Sequence, residues 1–252
     1  MNEISEILPT DLRPWALFLD IDGTLIDIAE TPDRVFVPCE LPEQLAELSS
    51  RLEGALALVS GRSIESIDKL FDPYQFPAAG LHGTEIRSRG NGEIDRGILD
   101  EWRLDGARQE LNDLARNWPG MIVEDKGIAI AVHYRQAPEA FSQVDARIGT
   151  LLGQIGSGWV RQDGKMVVEI HPGESNKGTA AAKLMNVTPF SGRIPIAIGD
   201  DLTDERMFEY VNKAGGRSIK VGTSTDASLA RFQVDSARTI RHWISQLAYS
   251  RN

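Results

Sequence analysis

Short apolar runs that end at a polar residue constrain the fold of this chain more than any other feature. Residues 15–20 (WALFLD) end at a carboxylate, residues 55–60 (ALALVS) end at a hydroxyl, and a helical pattern follows each run. Apolar runs of this length are typical of strands that are buried on both faces of a parallel sheet. The alternation therefore predicts an α/β fold with right-handed crossovers between parallel strands.

The pattern changes in the middle of the chain, after the tight-turn signal Asn91-Gly92. A helical face over residues 107–118 precedes two strand-like runs, and a helix over residues 138–154 precedes two strands that flank Asp163-Gly164. This order predicts an α+β unit with an antiparallel sheet.

The first pattern returns after residue 175, with the strand-like runs IPIAIGD and SIKVG and a closing helix. We therefore predict a Rossmann-like parallel-sheet core that is discontinuous in sequence, with an inserted α+β cap domain. The predicted core covers residues 1–102 and 172–252, and the predicted cap covers residues 103–171.

Charge and cysteine content narrow the class of function. The 252 residues include 27 Lys and Arg against 37 Asp and Glu, a formal net charge of −10, which argues against general binding to nucleic acid or an anionic membrane. Cys39 is the single cysteine, so an intrachain disulfide is impossible and a reducing cytoplasm fits. We expect a cytoplasmic monomer that acts on a small molecule.

The first candidate site is DIDGTL, where Asp20 and Asp22 stand two residues apart directly after an apolar strand. Gly23 can bend the chain sharply there. In such a pair one carboxylate can attack phosphorus, while the other protonates the leaving oxygen and later activates water. The position of the pair at a strand end favours this chemistry over an ordinary turn.

The second candidate site is IAIGDDLTDE, which places Asp200, Asp201 and Asp204 at the end of another apolar strand. Ligands of open parallel sheets lie beyond the carboxyl ends of the strands, so these carboxylates are expected to converge with the first pair. Carboxylates and carbonyls suit Mg²⁺. The alternative is a helix whose acidic first turn complements its dipole, and Asp204 fits that alternative better than Asp200 does.

Ser60 and Gly61 in VSGR, together with Lys177 in SNKG, complete a predicted phosphate site. A hydroxyl, backbone N–H groups at helix starts and one ammonium can together hold phosphate oxygens. The alternatives are that Ser60 is a helix N-cap and that Lys177 is a solvated surface lysine.

Alternation along the predicted cap strands separates polar from apolar side chains. His133 and Arg135 fall on the face opposite Ile130, Val132 and Tyr134, and Lys165, Glu169 and His171 fall opposite Met166, Val168 and Ile170. Glu124 and Lys126 lie nearby. A sugar needs such donors and acceptors, although a half-exposed sheet with one solvated face gives the same pattern.

The four motifs DIDGTL, VSGR, NKG and GDDLTDE together resemble the ordered motifs of haloacid dehalogenase-type phosphatases. This resemblance implies that Asp20 is the nucleophile, Asp22 is the general acid/base, and Ser60 and Lys177 hold phosphate. It implies Mg²⁺ bound by Asp20, Asp200 and the Asp22 carbonyl. The second acidic residue of the last motif is Asp201 or Asp204, with Asp204 favoured as a support for the lysine and the metal shell.

Within that superfamily the chain is similar to trehalose-6-phosphate phosphatases in SGRSIESI, GLHGTEIR, VEDKGIAIAVHYR, KMVVEIHPGESNKG and GDDLTDERMF. The resemblance implies hydrolysis of trehalose 6-phosphate as the last step of trehalose biosynthesis. The substrate-binding residues it favours are Arg62, His82, Glu124, Lys126, His133, Arg135, Lys165 and Glu169. His82 either contacts substrate or satisfies backbone groups.

Three other functions are compatible with parts of the pattern. The chain could act on another sugar phosphate, such as a sucrose or mannosylglycerate phosphate, or bind a sugar phosphate without catalysis as a regulatory module. A mutase shares part of the chemistry but must also suppress attack by water, and nothing in the sequence indicates that capacity.

Overall fold

The computed structural model describes residues 11–29, 34–96 and 101–249 of the chain. The chain separates into two compact units, the first formed by Met1–Asp95 with Asn176–Asn252 and the second by Arg96–Ser175. These limits differ by a few residues from the predicted boundaries at 102/103 and 171/172. The predicted core range also includes residues 1–10, 30–33, 97–100 and 250–252, which lie outside the described residues.

Strands and helices alternate along most of the described chain. The strands are β1 Trp15–Leu19, β2 Leu56–Val59, β3 Ala78–Gly80, β4 Glu85–Arg87, β5 Ile122–Asp125, β6 Ile130–His133, β7 Trp159–Gly164, β8 Val167–Pro172, β9 Ile194–Gly199, β10 Arg217–Val221 and β11 Phe232–Val234. The α-helices are α1 Leu41–Arg51, α2 Ile64–Leu70, α3 Asp105–Ala115, α4 Phe141–Ile155, α5 Lys177–Met185, α6 Glu205–Lys213 and α7 Ala237–Tyr249.

The first unit is built on a seven-stranded sheet in the order β11-β10-β9-β1-β2-β3-β4. Its first six strands in that order are parallel, and β1 lies between β2 and β9 near the middle. Residues 16–19 of β1 are almost completely buried because apolar side chains cover both faces of the sheet. The parallel α/β core confirms the predicted fold class.

The edge strand β4 departs from the predicted parallel pattern, because it pairs with β3 in the antiparallel direction. The chain reverses between them through Leu81 and His82, which both have positive φ angles (48° and 53°), and Gly83, with φ 99°. A left-handed conformation costs a residue other than glycine roughly 1–2 kcal/mol. The apolar pattern of AAGLHG does not reveal such a reversal.

The second unit contains a four-stranded antiparallel sheet in the order β5-β6-β8-β7. Apolar side chains of β6 and β8, including Ile130, Val132, Val168 and Ile170, pack in one core with buried side chains of α3 and α4. The predicted α+β unit with an antiparallel sheet is therefore confirmed.

Across the three described segments, no helix combines the length and the apolar character that crossing a bilayer requires.

Candidate functional site

The carboxyl ends of three adjacent strands bring the predicted site residues together. β1 lies between β2 and β9, so Asp20, Ser60 and Asp200, which follow these strands, meet at one edge of the sheet. Asp20 and Ser60 are buried, and the Asp20 amide donates a 2.9 Å hydrogen bond to the carbonyl of Ile198. This edge is the switch point where open α/β sheets bind ligands.

Lys177 joins two of the predicted carboxylates although it is distant from both in sequence. Its Nζ lies 2.6 Å from Oδ1 of Asp20 and 2.7 Å from Oδ1 of Asp204, and its side chain is only 3% exposed. A solvated surface lysine is therefore excluded. We call Asp20, Asp200, Asp204 and Lys177 the acidic cluster.

A capping box fixes the position of Lys177 at the first turn of α5. The side chain of Asn176 accepts hydrogen bonds from the amides of Gly178 and Thr179, and the Asn176 amide donates to Oγ1 of Thr179. This reciprocal pairing stabilises a helix start. Sequence reasoning missed Asn176, although the spacing Asn-x-x-Thr is a signal that could have revealed the cap.

Asp201 and Asp204 have different structural roles. Oδ2 of Asp204 accepts the amides of Asp200 and Asp201 at 2.9 and 3.1 Å, while its Oδ1 accepts from Lys177. Asp201 instead caps the short turn Leu202–Asp204 by accepting from the amide and hydroxyl of Thr203. Asp204 therefore supports Lys177, whereas Asp201 caps a local turn.

Burial and mutual repulsion dominate the titration of the acidic cluster. Burial raises the pKa of Asp20 well above its usual range, and repulsion from Asp204 and Asp200 adds to this while Lys177 opposes it. Burial also raises the pKa of Asp204 to about 7. Burial alone would lower the pKa of Lys177, but Asp20 and Asp204 raise it well above its ordinary value. With three carboxyl groups and one ammonium group, the cluster has too little positive charge to compensate all of its carboxylates.

The donor set of the acidic cluster fits a small hard cation. One carboxylate oxygen from each of Asp20, Asp200 and Asp204 lies within 4.8 Å of the others. Both oxygens of Asp204 already accept hydrogen bonds, so a cation bound by this carboxylate would compete with Lys177 and two backbone amides. Oxygen ligands in a region where carboxyl groups outnumber ammonium groups suit Mg²⁺.

Gly23 is required where the chain passes Asp200. Its φ angle is +91°, and a Cβ atom there would lie 2.3 Å from Oδ2 of Asp200. Alanine at this position therefore combines backbone strain with a collision against a predicted metal ligand.

Replacing Gly23 with Ala is expected to weaken divalent-cation binding about 10- to 100-fold, the range seen when groups that orient metal ligands are altered. The matched control is Gly192→Ala, because Gly192 has φ +81° but a Cβ atom there would have nothing within 4 Å. Both variants should lose about 1 kcal/mol of unfolding free energy through the φ angle. Titration calorimetry and thermal unfolding measure the two effects, and equal cation affinity in the two variants would contradict the role of Gly23.

The loop after β2 packs closely against His82. A Cβ atom on Gly61 would lie 2.6 Å from Nε2 of His82, and the His82 amide donates to the carbonyl of Ser60. Ser63, not Ser60, is the N-cap of α2, since its side chain accepts from the amide of Ser66. The N-cap alternative for Ser60 is therefore wrong, and Ser60, Gly61 and His82 form one side of the site.

Arg62 makes the contact that sequence reasoning did not anticipate. Its Nε and Nη2 donate to the two carboxylate oxygens of Asp22 at 2.7 and 2.6 Å. The Asp22 carboxylate is thus paired with Arg62 and is not part of the acidic cluster. Forty residues separate the two side chains, and no local pattern signals such a pair.

The second unit contains a separate polar cluster on the sheet face opposite its apolar core. Nζ of Lys126 lies 2.7 Å from Oε2 of Glu169, and Nε2 of His133 lies 2.9 Å from Oε2 of Glu124. Burial alone would raise the pKa of Glu124, but the His133 hydrogen bond and Lys126 hold it below its usual range. Ala131 lies between Glu124 and Glu169 in the row of paired residues. We call Glu124, Lys126, His133 and Glu169 the polar cluster.

Two predicted cap residues lie elsewhere. Lys165 is exposed in the turn between β7 and β8, where Met166 has φ 63°, so it does not continue the strand face of Glu169 and His171 as predicted. Arg135 is exposed and donates to the Lys165 carbonyl. Glu169 and His171 are buried, at 4% and 2% exposure, so the alternative of a fully solvated face is also wrong.

Comparison with known proteins shows which family the sequence resembles and which fold it shares. A sequence model of the family described as trehalose-phosphatase matches residues 18–238. A probable trehalose-phosphate phosphatase of Sinorhizobium fredii is 48% identical, over 96% of this chain and 90% of the relative. The trehalose-6-phosphate phosphatase of Escherichia coli is 40% identical, over 92% of this chain and 86% of the relative. A crystal structure of a trehalose-6-phosphate phosphatase related protein has a TM-score of 0.73 and 25% identity, and the match covers 92% of this chain and 96% of that one.

Proposed function

The chain belongs to the trehalose-phosphatase family, and from this premise we propose that it hydrolyses trehalose 6-phosphate through an aspartyl-phosphate on Asp20, with Mg²⁺ as cofactor. The observation that carries the proposal is the buried carboxylate of Asp20 at the end of the central strand, 2.6 Å from the ammonium of Lys177 and beside Asp200. A carboxylate that can act as nucleophile, the Lys177 ammonium and further oxygen atoms that can bind a metal lie together there.

The first step transfers the phosphoryl group to the protein. A carboxylate oxygen of Asp20 attacks phosphorus, the bond between phosphorus and the sugar oxygen breaks, and Asp22 gives its proton to that oxygen. The hydroxyl of Ser60, the backbone at Gly61 and the ammonium of Lys177 hold phosphate oxygens. Trehalose leaves with the proton, and Asp22 remains as a carboxylate.

The second step releases phosphate. Asp22 takes a proton from water, whose oxygen attacks phosphorus as the bond to Asp20 breaks. Inorganic phosphate leaves, and both carboxyl groups return to their starting states. Mg²⁺ held by Asp20, Asp200 and the Asp22 carbonyl would supply positive charge that offsets repulsion between the nucleophile and the phosphate.

The polar cluster supports a sugar as the leaving group. The carboxylates of Glu124 and Glu169 can accept hydrogen bonds from sugar hydroxyl groups, and the ammonium of Lys126 can donate to sugar oxygens. The small side chain of Ala131 lies between the two carboxylate positions. Lys126 and Glu169 are largely buried, with side-chain exposures of 9% and 6%, so their pairing is held at a defined position. We propose that this cluster recognises the disaccharide.

Phosphate release from four substrates tests the proposal. Trehalose 6-phosphate, glucose 6-phosphate, sucrose 6-phosphate and a mannosylglycerate phosphate are each assayed with Mg²⁺ and with EDTA. We expect turnover with Mg²⁺ that strongly favours trehalose 6-phosphate by kcat/KM, and loss of turnover in EDTA that added Mg²⁺ reverses.

Each other outcome removes a defined part of the proposal. Preference for another substrate would keep the chemistry and overturn the sugar assignment. Full turnover in EDTA would overturn the role of Mg²⁺, and the absence of turnover on every substrate would favour a non-catalytic binding module. The cytoplasmic location and the monomeric state stay predictions, as do substrate contacts by Arg135, Lys165 and His82.

A further inference from the structure

Arg62 is held against Asp22 rather than presented as a separate substrate donor. Its guanidinium makes two parallel hydrogen bonds, from Nε to Oδ2 at 2.7 Å and from Nη2 to Oδ1 at 2.6 Å. The Arg62 side chain is 13% exposed and the Asp22 side chain is 35% exposed. This fork arrangement fixes the plane of a carboxylate in a way that a single ammonium cannot.

The backbone of Arg62 is fixed to the phosphate side of the site. Its amide donates to Oγ of Ser60 at 3.2 Å, and its carbonyl accepts from the amide of Leu81 at 2.9 Å. A Cβ atom on Gly80 would lie 2.9 Å from that carbonyl, so neighbouring backbone confines it as well. Arg62 therefore links the orientation of the Asp22 carboxylate to the loop that carries Ser60 and Gly61.

The two reaction steps need this orientation. Each carboxylate oxygen has two lone pairs, so the pairing with Arg62 leaves one on each oxygen of Asp22 for the proton that moves. In the first step the Asp22 proton goes to the leaving sugar oxygen, and the resulting carboxylate is paired with the guanidinium. In the second step the same carboxylate receives a proton from water. Arg62 stays bonded throughout and exchanges no proton.

We propose, on the basis of the function proposed above, that Arg62 is a positioning residue for the general acid/base Asp22 and not a substrate-binding residue. The proposal revises the sequence prediction for Arg62. It implies that loss of Arg62 damages the proton-transfer steps and leaves substrate affinity nearly unchanged.

A double-mutant cycle tests this role on two substrates. The variants are Arg62→Ala, Asp22→Asn and the double variant, assayed with trehalose 6-phosphate and with p-nitrophenyl phosphate. Because nitrophenolate leaves without a proton, Arg62→Ala should give a burst of nitrophenol close to the enzyme concentration, followed by slow turnover limited by water attack.

We expect kcat on trehalose 6-phosphate to fall about 100-fold with KM within about twofold of the wild type. The double variant should be no slower than Asp22→Asn, because residues that act as a unit are not additive.

Arg62→Lys keeps the test decisive if Arg62→Ala folds poorly, and guanidinium rescue is a second readout when Arg62→Ala folds. Lysine keeps the charge but loses the fork, so we expect kcat about tenfold below the wild type, and millimolar guanidinium should raise the rate of Arg62→Ala but not of Asp22→Asn. A large rise in KM with unchanged kcat, or a double variant slowed by the product of the two single effects, would overturn the proposal. If the wild type acts on p-nitrophenyl phosphate but not on trehalose 6-phosphate, the proposed substrate fails while the cycle on p-nitrophenyl phosphate still decides the role of Arg62.

Discussion

Replacing Asp20 with Asn is expected to lower kcat for trehalose 6-phosphate by about 10⁴-fold or more, because an amide cannot form the acyl-phosphate. The Asn side chain has nearly the same shape as the Asp side chain, so its amide oxygen can still accept a hydrogen bond from Lys177. Burial and neighbouring carboxylates raise the pKa of Asp20, so the metal-free fold stabilises the ionised carboxylate less well than water does. The variant should therefore unfold in EDTA at a temperature at least as high as the wild type does.

The control for this variant is Asp27→Asn. Asp27 belongs to the same loop, but its side chain is 81% exposed and its carboxylate lies 3.2 Å from Nη2 of Arg241. We expect kcat within about twofold of the wild type, since an exposed ion pair contributes little. Steady-state kinetics and thermal unfolding are measured on both variants. An Asp20→Asn enzyme within tenfold of the wild type would overturn the nucleophile assignment.

Replacing Lys177 with Met is expected to produce the largest loss of stability, about 3 kcal/mol in unfolding free energy at pH 8 in EDTA. The ammonium is buried between Asp20 and Asp204, and its removal leaves buried carboxylates without compensation. Turnover should also be lost, because one predicted phosphate donor is gone. Lys183→Met is the matched control, since Lys183 lies on the same helix and is exposed.

The pH dependence of this stability loss has a defined sign. Without Lys177, the folded-state pKa values of Asp20 and Asp204 are raised further above their unfolded values, and Asp204 already has a pKa of about 7. A group with a raised pKa stabilises the fold at low pH, and that contribution is lost as pH rises through the folded value. Denaturant unfolding should therefore show a smaller difference between Lys177→Met and the wild type at pH 5.5 than at pH 8. A difference that grows as pH falls, or a Lys177→Met variant as stable as Lys183→Met, would contradict the account.

The sequence predicts the core of the site because residues that follow parallel strands lie at the same edge of the sheet. An apolar run that ends at Asp20, Ser60 or Asp200 must place that residue at the carboxyl edge of the sheet. Lys177 stands at a helix start and follows no such run, so its 2.6 Å contact with Asp20, 157 residues away, is decided by tertiary structure. Strand alternation predicts the separation of Glu169 and His171 from Val168 and Ile170.

Other features depend on contacts that no local pattern encodes. The three-residue strands β4 and β11 are too short to show a period, and β4 exists because the chain reverses at Leu81 and His82. Lys165 leaves the strand face because Met166 adopts a left-handed conformation in the turn. The pairing of Arg62 with Asp22 joins two loops that follow different strands, so their approach is decided by tertiary structure.

The covalent step on Asp20 is tested most directly by trapping the intermediate. The enzyme is quenched in acid during turnover of trehalose 6-phosphate, treated with borohydride, which reduces an acyl-phosphate to an alcohol, and mapped by peptide mass spectrometry. We expect homoserine in place of aspartate at position 20, only in samples that contain both substrate and Mg²⁺. Reduction at Asp22, Asp200, Asp201 or Asp204 with Asp20 intact, or no reduction at any aspartate under conditions where phosphate is released, would contradict it.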